Sequence, residues 1–339
     1  MQQADLAIGH LEVPHTTHTQ EYGHDVPAPG ANPAHLAALS RAGFAAMTLA
    51  GNHIADCGET GINDTLAGLA AQSIAYCGAG ASLAQARQPA LLQIKDRKLA
   101  LLSYNCVGPE SSWATAGHAG CAYLPVTTGD GAPVAPARTL LAPTPEAFTI
   151  LRNDIASARA QAGLVVVALH KGIVHTPAVV APYERALAHA AIEAGADLVI
   201  GHHAHIVRGI EFHHGKPIFH GLGNGCVVTR ALDPGQPHAA RAAWAQRRQQ
   251  LFGFVPDPAY KLAPFHPEAI NAFIARVLWH QDGSLEVGLV PVHVDAPGRP
   301  RLANAEEAAR ISAYVQAITL QAGLGARCFT PRADMVVIT

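Results

Sequence analysis

Short apolar runs alternate with amphipathic stretches through the first two-thirds of the chain. The runs at residues 5–9, 46–50, 91–94, 99–105, 164–170 and 197–201 are rich in Val, Ile, Leu or Ala and bounded by Gly, Pro or Asn. That pattern predicts short strands covered on both faces. Between them, Asn32 before Pro33 marks a helix start, and Gly43 closes that helix. Further helices are predicted over about 60–72, 145–162 and 182–194, the last ended by Gly195. Beyond residue 205 the pattern changes to paired ribbons. Residues 206–212, the turn His213-His214-Gly215-Lys216 and residues 217–220 predict a β-hairpin. Residues 273–280, the turn Gln281-Asp282-Gly283-Ser284 and residues 285–294 predict a longer one, and 303–321 an amphipathic helix. Strand–helix alternation with antiparallel ribbons predicts a layered α/β sandwich of mixed sheets, in a single domain over 1–339 without internal repeats.

Two segments fit no regular pattern. Residues 108–145 are rich in Gly, Pro, Thr and Ala, and residues 230–267 are rich in Pro and Gln, with Arg230, Arg241, Arg247, Arg248 and Lys261. Long irregular insertions are lids, binding loops or solvated excursions. The second is expected to be a lid, its arginines suited to an anionic group.

The charge count narrows the partners. With 23 Lys+Arg against 25 Asp+Glu, the chain lacks the cationic excess that phosphate-backbone binding requires, so no nucleic acid is expected. Its 6 scattered cysteines form no C-x-x-C pair, which excludes a small disulfide scaffold, argues against a thiolate zinc ribbon and fits reduced, buried thiols. The first residues carry no basic segment followed by a long apolar run, so the expectation is a cytoplasmic chain with no visible membrane anchor. The 20 histidines stand out, because neutral imidazole is the commonest metal ligand and an acid–base at neutral pH.

Several of those histidines fall at the ends of predicted strands, where open α/β sheets place ligands. Gly9-His10-Leu11-Glu12 puts an imidazole and a carboxylate on one side of an extended chain. Asn52-His53 with Asp56 offers an amide oxygen and an imidazole–carboxylate pair, although Gly, Asn and Asp also suit a plain turn. His170-Lys171-Gly172 ends the most apolar strand with polar groups that need partners, and His175 follows. Gly201-His202-His203-Ala204-His205 is an H-x-H pair at a strand end, with His203 and His205 sharing a direction if the segment is extended. Asn52, His170, His203 and His205 are nitrogen and oxygen donors without thiolate, a set suited to one or two zinc, manganese or iron ions. Water on such an ion ionises near neutral pH.

In this order the motifs resemble the metallophosphoesterase superfamily, and within it the poly-gamma-glutamate capsule-synthesis protein CapA family. Leu11-Glu12, Asn52-His53 with Asp56, Gly58 and Gly61, His170 with Gly172, and residues 195–201 followed by His203 and His205 carry the resemblance. Gly209-Ile210-Glu211, Lys216-Pro217-Ile218 and Leu222-Gly223-Asn224 extend it. The resemblance implies a four-layer α/β/β/α sandwich, with Glu12, Asn52, His170, His203 and His205 as metal ligands. It implies that His53, oriented by Asp56, steadies the transition state or protonates the leaving group, and that Asn224 sits near the site. His10 stands where the family has Asn, and is a further candidate ligand. Lys171 replaces a usual Trp and His175 stands near a usual Glu; both are candidate substrate contacts. A changed surround tunes metal and pocket alike.

The leading expectation is a metal-dependent hydrolase acting on a phosphoester or a gamma-glutamyl-like amide of a small-molecule or peptide substrate. A metal-dependent epimerase or isomerase, and a degenerate binding protein without activity, are the alternatives.

Overall fold

The computed structural model describes residues 1–21, 28–229, 232, 233, 235 and 239–339; Arg230 lies outside the described residues. The chain forms two compact units, Met1–Lys171 with Ala181–Val199, and Gly172–Val180 with Ile200–Thr339. Among the described residues it is a mixed α/β protein with 7 α-helices and several sheets.

The first unit opens with β1 (Ile8–His10), α1 (Leu36–Ala42), β2 (Ala46–Thr48), α2 (Gly58–Ala71) and β3 (Ala75–Cys77). Its first three strands form a parallel sheet in chain order, with His10 opposite Thr48. The next elements are β4 (Ala79–Gly80), α3 (Leu83–Ala86), β5 (Ala90–Ile94) and β6 (Arg97–Asn105). After them come β7 (Gly120–Cys121), β8 (Val126–Thr128), β9 (Leu140–Pro143), α4 (Pro145–Arg159), β10 (Leu164–Lys171) and α5 (Pro182–Glu193). β6 pairs parallel with β10, ending at His170 opposite Asn105, and antiparallel with β5.

Sequence explains these elements locally. All 8 residues of β10 are buried, and each buried Val or Leu removes enough apolar surface to be worth about 1.5–3 kcal/mol. α4 and α5 pack on β10. Ile62, Leu66 and Leu69 of α2 close a core with Met47 and Leu49. The Asn32 side chain accepts from Ala34 N–H as the cap read from the sequence, although the first turn, Pro33–His35, is a 3-10 turn that leads into α1. Gly43 ends α1 at φ 90°, a left-handed conformation that glycine adopts without a Cβ clash.

β11 (Leu198–His203) crosses from the first unit into the second. The second unit holds the hairpin β12 (Ile210–His213) and β13 (Lys216–Phe219), then α6 (Ala239–Phe252). β14 (Asn271–Trp279), β15 (Leu285–Asp295), β16 (Arg299–Leu302), α7 (Ala305–Gln321), β17 (Phe329–Pro331) and β18 (Val336–Ile338) follow. They build an antiparallel sheet in the order β14-β15-β18-β17, with β16 also on β15 and α7 packed against β15. A capping box of Asn304 and Glu307 starts α7.

The structure departs from the sequence expectation in identifiable places. The first strand is Ile8–His10, not 5–9, because parallel pairing with β2 starts only at Ile8. The segment 230–267 is not irregular throughout: residues 239–252 form α6. The segment 108–145 contains β7, β8 and β9, which are held by pairing with β4 and with each other. No helix among the described residues is long and apolar enough to cross a membrane.

Candidate metal centre

In the first unit, three strands deliver their donors at their carboxyl ends. His10 closes β1, with Glu12 two residues on; Asn52 follows β2 through a short loop; His170 lies at the end of β10. Asn52 Oδ1 is 2.6 Å from His170 Nε2, although 118 positions separate the two in sequence. Glu12 Oε1 is 3.7 Å from the same nitrogen. The His10 ring centroid is 5.0 Å from that of His170, and His10 Nδ1 is 3.0 Å from Thr48 Oγ1, its register partner. Asn52 and His170 are buried, and buried donors are costly to desolvate unless they share a partner.

Gly51 makes the close approach possible. A Cβ at this position would lie 3.2 Å from His10 Nε2 and 3.3 Å from His170 Cε1. Any larger residue would therefore push into the space the two rings face. An imidazole, a carboxylate and an amide oxygen around a space kept clear by glycine fit a divalent transition ion. Adjacent donors on such an ion, bound at about 2.0–2.2 Å, stand roughly 3–3.5 Å apart. The 2.6 and 3.7 Å separations need shifts of only a few tenths of an ångström to meet that requirement.

His53 is placed differently. Its Nδ1 lies 2.6 Å from Asp56 Oδ2, and that oxygen also accepts from Ala28 N–H at 2.6 Å. Asp56 is buried, whereas the His53 side chain is 24% exposed. The carboxylate thus fixes the ring and places a proton on Nδ1. Lys171, the residue after His170, is fully buried, and its Nζ donates to Glu184 Oε2 at 3.1 Å. The other oxygen of Glu184 accepts from Ala181 N–H at the start of α5.

In the second unit, His203 and His205 sit in left-handed conformations, at φ 96° and 54°, and His175 at 58°. The segment is therefore not extended, and strand alternation does not set the direction of its side chains. The ring centroids of His203 and His205 nevertheless stand 6.3 Å apart. Left-handed non-glycine residues cost free energy and cluster at functional sites. Asn224 clasps His205 from both ends: its Oδ1 is 3.0 Å from His205 Nδ1, and its Nδ2 donates to the His205 carbonyl at 3.3 Å. Phe265 stacks on the same ring, centroids 5.0 Å apart.

His175 is enclosed by Phe252, Phe254 and Phe265, at centroid distances of 4.8, 5.1 and 5.8 Å. Burial pushes its imidazole down to about 2, with repulsion from His205 adding to the effect. Its ring is therefore neutral at physiological pH. His220 fills an ordinary structural role, buried against Glu211 at 3.0 Å on the β12–β13 hairpin. Gly51 was read only as the first residue of the Asn52-His53 motif, and Phe252, Phe254 and Phe265 were not singled out from sequence; for these three the signal was an interleaving of aromatics within an otherwise polar stretch.

Comparison with known proteins adds one consistent result. The model of a family described as "Bacterial capsule synthesis protein PGA_cap" matches residues 1–227. A probable polyglutamine synthesis accessory protein of Mycobacterium tuberculosis is 31% identical over 216 residues, covering 62% of this chain and 51% of that protein. The PGA biosynthesis protein CapA of Bacillus subtilis is 32% identical over 184 residues, covering 53% and 42%. The capsule biosynthesis protein CapA of Bacillus anthracis is 27% identical over 191 residues, covering 55% and 41%. The chain spans about half the length of these curated relatives.

Proposed function

The chain belongs to the bacterial capsule synthesis protein family PGA_cap, and from that premise we propose that it is a metal-dependent hydrolase of a phosphoester or a gamma-glutamyl-like amide. The gathering of Glu12, Asn52 and His170 around the space that Gly51 keeps clear is the observation that carries this. In this proposal Glu12, Asn52 and His170, with His10 as a further donor, are metal ligands in the first unit, and His203 and His205 are metal ligands in the second, for one or two divalent ions of zinc, manganese or iron. A bound ion of this kind lowers the pKa of its water toward neutrality and polarises the bond under attack. His53, oriented by Asp56, supplies a proton to the leaving group. Asn224 keeps the His205 ring in one orientation, and His175 contributes a neutral surface to the substrate side. The four-layer α/β/β/α sandwich and the single domain over 1–339, with its insertion at about 230–267 as a lid, belong to the same proposal, as does an anionic small-molecule or peptide substrate in the cytoplasm.

Metal analysis of the purified protein, paired with an activity screen, tests it. The expected result is about one equivalent or more of a transition metal and hydrolysis of either phosphoester or gamma-glutamyl substrates when manganese, zinc or iron is supplied. A chain that binds no transition metal, in wild type and His203→Ala alike, overturns it and favours a non-catalytic binding protein. Deuterium entering a carbon of intact substrate in heavy water favours the epimerase alternative instead.

A further inference from the structure

A cavity of about 220 Å³ opens within the second unit, and two of its walls touch His205 directly. Asn224 lines it and holds the His205 Nδ1 at 3.0 Å, and Phe265 lines it and stacks on the His205 ring. Much of the wall is apolar, including Ala269, Ile270 and Val294. Ligand sites combine an apolar lining with a few polar groups that fix orientation. The polar groups here are Asn224, Asp257, Tyr260 and His266, and neither Lys nor Arg is among the lining residues.

The chemistry of those groups selects a ligand. His266 Nδ1 accepts from Glu268 N–H at 3.1 Å, which places the ring proton on Nε2 as a donor. Burial holds that imidazole below its ordinary value and therefore neutral. Tyr260 adds a hydroxyl donor, and Asp257, exposed at the rim, adds a carboxylate acceptor. Two neutral donors beside one acceptor complement a carbonyl oxygen next to an N–H. No Lys or Arg lines the cavity to pair with a phosphate or free carboxylate there, and the Asp257 carboxylate would repel it.

We infer that this cavity is a subsite for an uncharged, amide-bearing group of a peptide-like substrate, delivered beside His205. The inference deepens the hydrolase proposal and rests on it for the reaction, but not for binding. It also gives residues 257–266 of the insertion a role: they wall the subsite rather than capture an anion.

The test is binding of N-acetylalanine methylamide to the metal-free full chain, followed by protein NMR shifts, with inorganic phosphate as competitor. Saturable binding is expected, weakened at least tenfold by Ala269→Phe, which fills the cavity, and several-fold by Tyr260→Phe. Phosphate is expected not to displace the probe. Lack of saturation, equal affinity in both variants, or displacement by phosphate overturns the inference. If Ala269→Phe does not fold, Tyr260→Phe alone decides. Absence of hydrolysis with every substrate would sink the hydrolase proposal while leaving this binding result standing, so the two fail separately.

Discussion

Asn224 Oδ1 stands 3.0 Å from Nδ1 of His205 and thereby assigns the ring proton to that nitrogen, leaving the lone pair on Nε2. An outer hydrogen bond of this kind orients a ligand and raises its basicity. Asn224→Ala should therefore weaken metal binding by roughly 10- to 100-fold without unfolding the protein. Titration of the metal-free chain with zinc or manganese measures it, and unchanged affinity would separate Asn224 from the centre.

His53 and His205 should separate chemistry from metal binding. His53→Ala is expected to abolish turnover while metal content stays near wild type, because the role proposed for His53, held by Asp56, is proton donation and not metal binding. His205→Ala should lose both metal and turnover. Elemental analysis beside an activity assay reads the two, and loss of metal from His53→Ala would move that residue into the ligand set.

The buried ion pair of Lys171 and Glu184 should be sensitive to removal of one partner only. Lys171→Met leaves a carboxylate enclosed without its cation, a change that typically costs about 3–5 kcal/mol. Urea unfolding is the measurement. The double variant Lys171→Met, Glu184→Gln should recover much of the loss, and an equal loss in single and double variants would deny the coupling.

Thiol reactivity should sort by burial. Cys226 and Cys328 are exposed, while Cys57, Cys77, Cys106 and Cys121 are buried. Burial pushes the Cys77 thiol up to about 12 and Cys121 to about 11, and also raises Cys106 and Cys57. The thiolate is the reactive form. Iodoacetamide at about pH 8 should label Cys226 and Cys328 in the native protein and all six only after denaturation, as peptide mass spectrometry would read.

The start of α7 should weaken in acid. Hydrogen bonds from Arg301 hold the Glu307 carboxyl down from 4.5 to about 2, helped by the Asn304 backbone N–H. The folded value is lowered, so the stabilisation is complete above the unfolded carboxylate value and fades as pH falls toward about 2. The melting-temperature difference between wild type and Glu307→Gln should accordingly shrink from neutral pH into that window. A difference that is constant with pH would assign the effect to packing instead.

Much of the fold could be read where the chain's own periodicity decides it. β10 opens with an unbroken apolar run from Leu164 to Leu169, and both ribbons carry turn residues between their strands. α6 escaped detection because Ala-Ala-Arg-Ala-Ala-Trp-Ala-Gln-Arg-Arg-Gln-Gln-Leu-Phe has no continuous apolar stripe. β7 pairs with β4 some forty residues earlier, a contact that no local pattern encodes. Within the site, Asn52 and His170 were legible as donor types at strand ends, but only folding brings them to 2.6 Å. The cavity walls were not legible residue by residue, since Tyr260, Phe265 and His266 lie in a segment whose sequence suggested an irregular lid and drew attention to its arginines. The left-handed backbone at His203 and His205 was equally hidden, because non-glycine residues carry no sequence mark for positive φ.

The chain passes between its two compact units after Lys171, again after Val180 and a third time after Val199. No single cut can therefore yield both halves as continuous polypeptides. A fragment stopping at Lys171 lacks α5, which packs on β10 and carries Glu184. Dissection by limited proteolysis or separate expression should return insoluble pieces, and functional dissection of this protein must proceed through point substitutions in the intact chain.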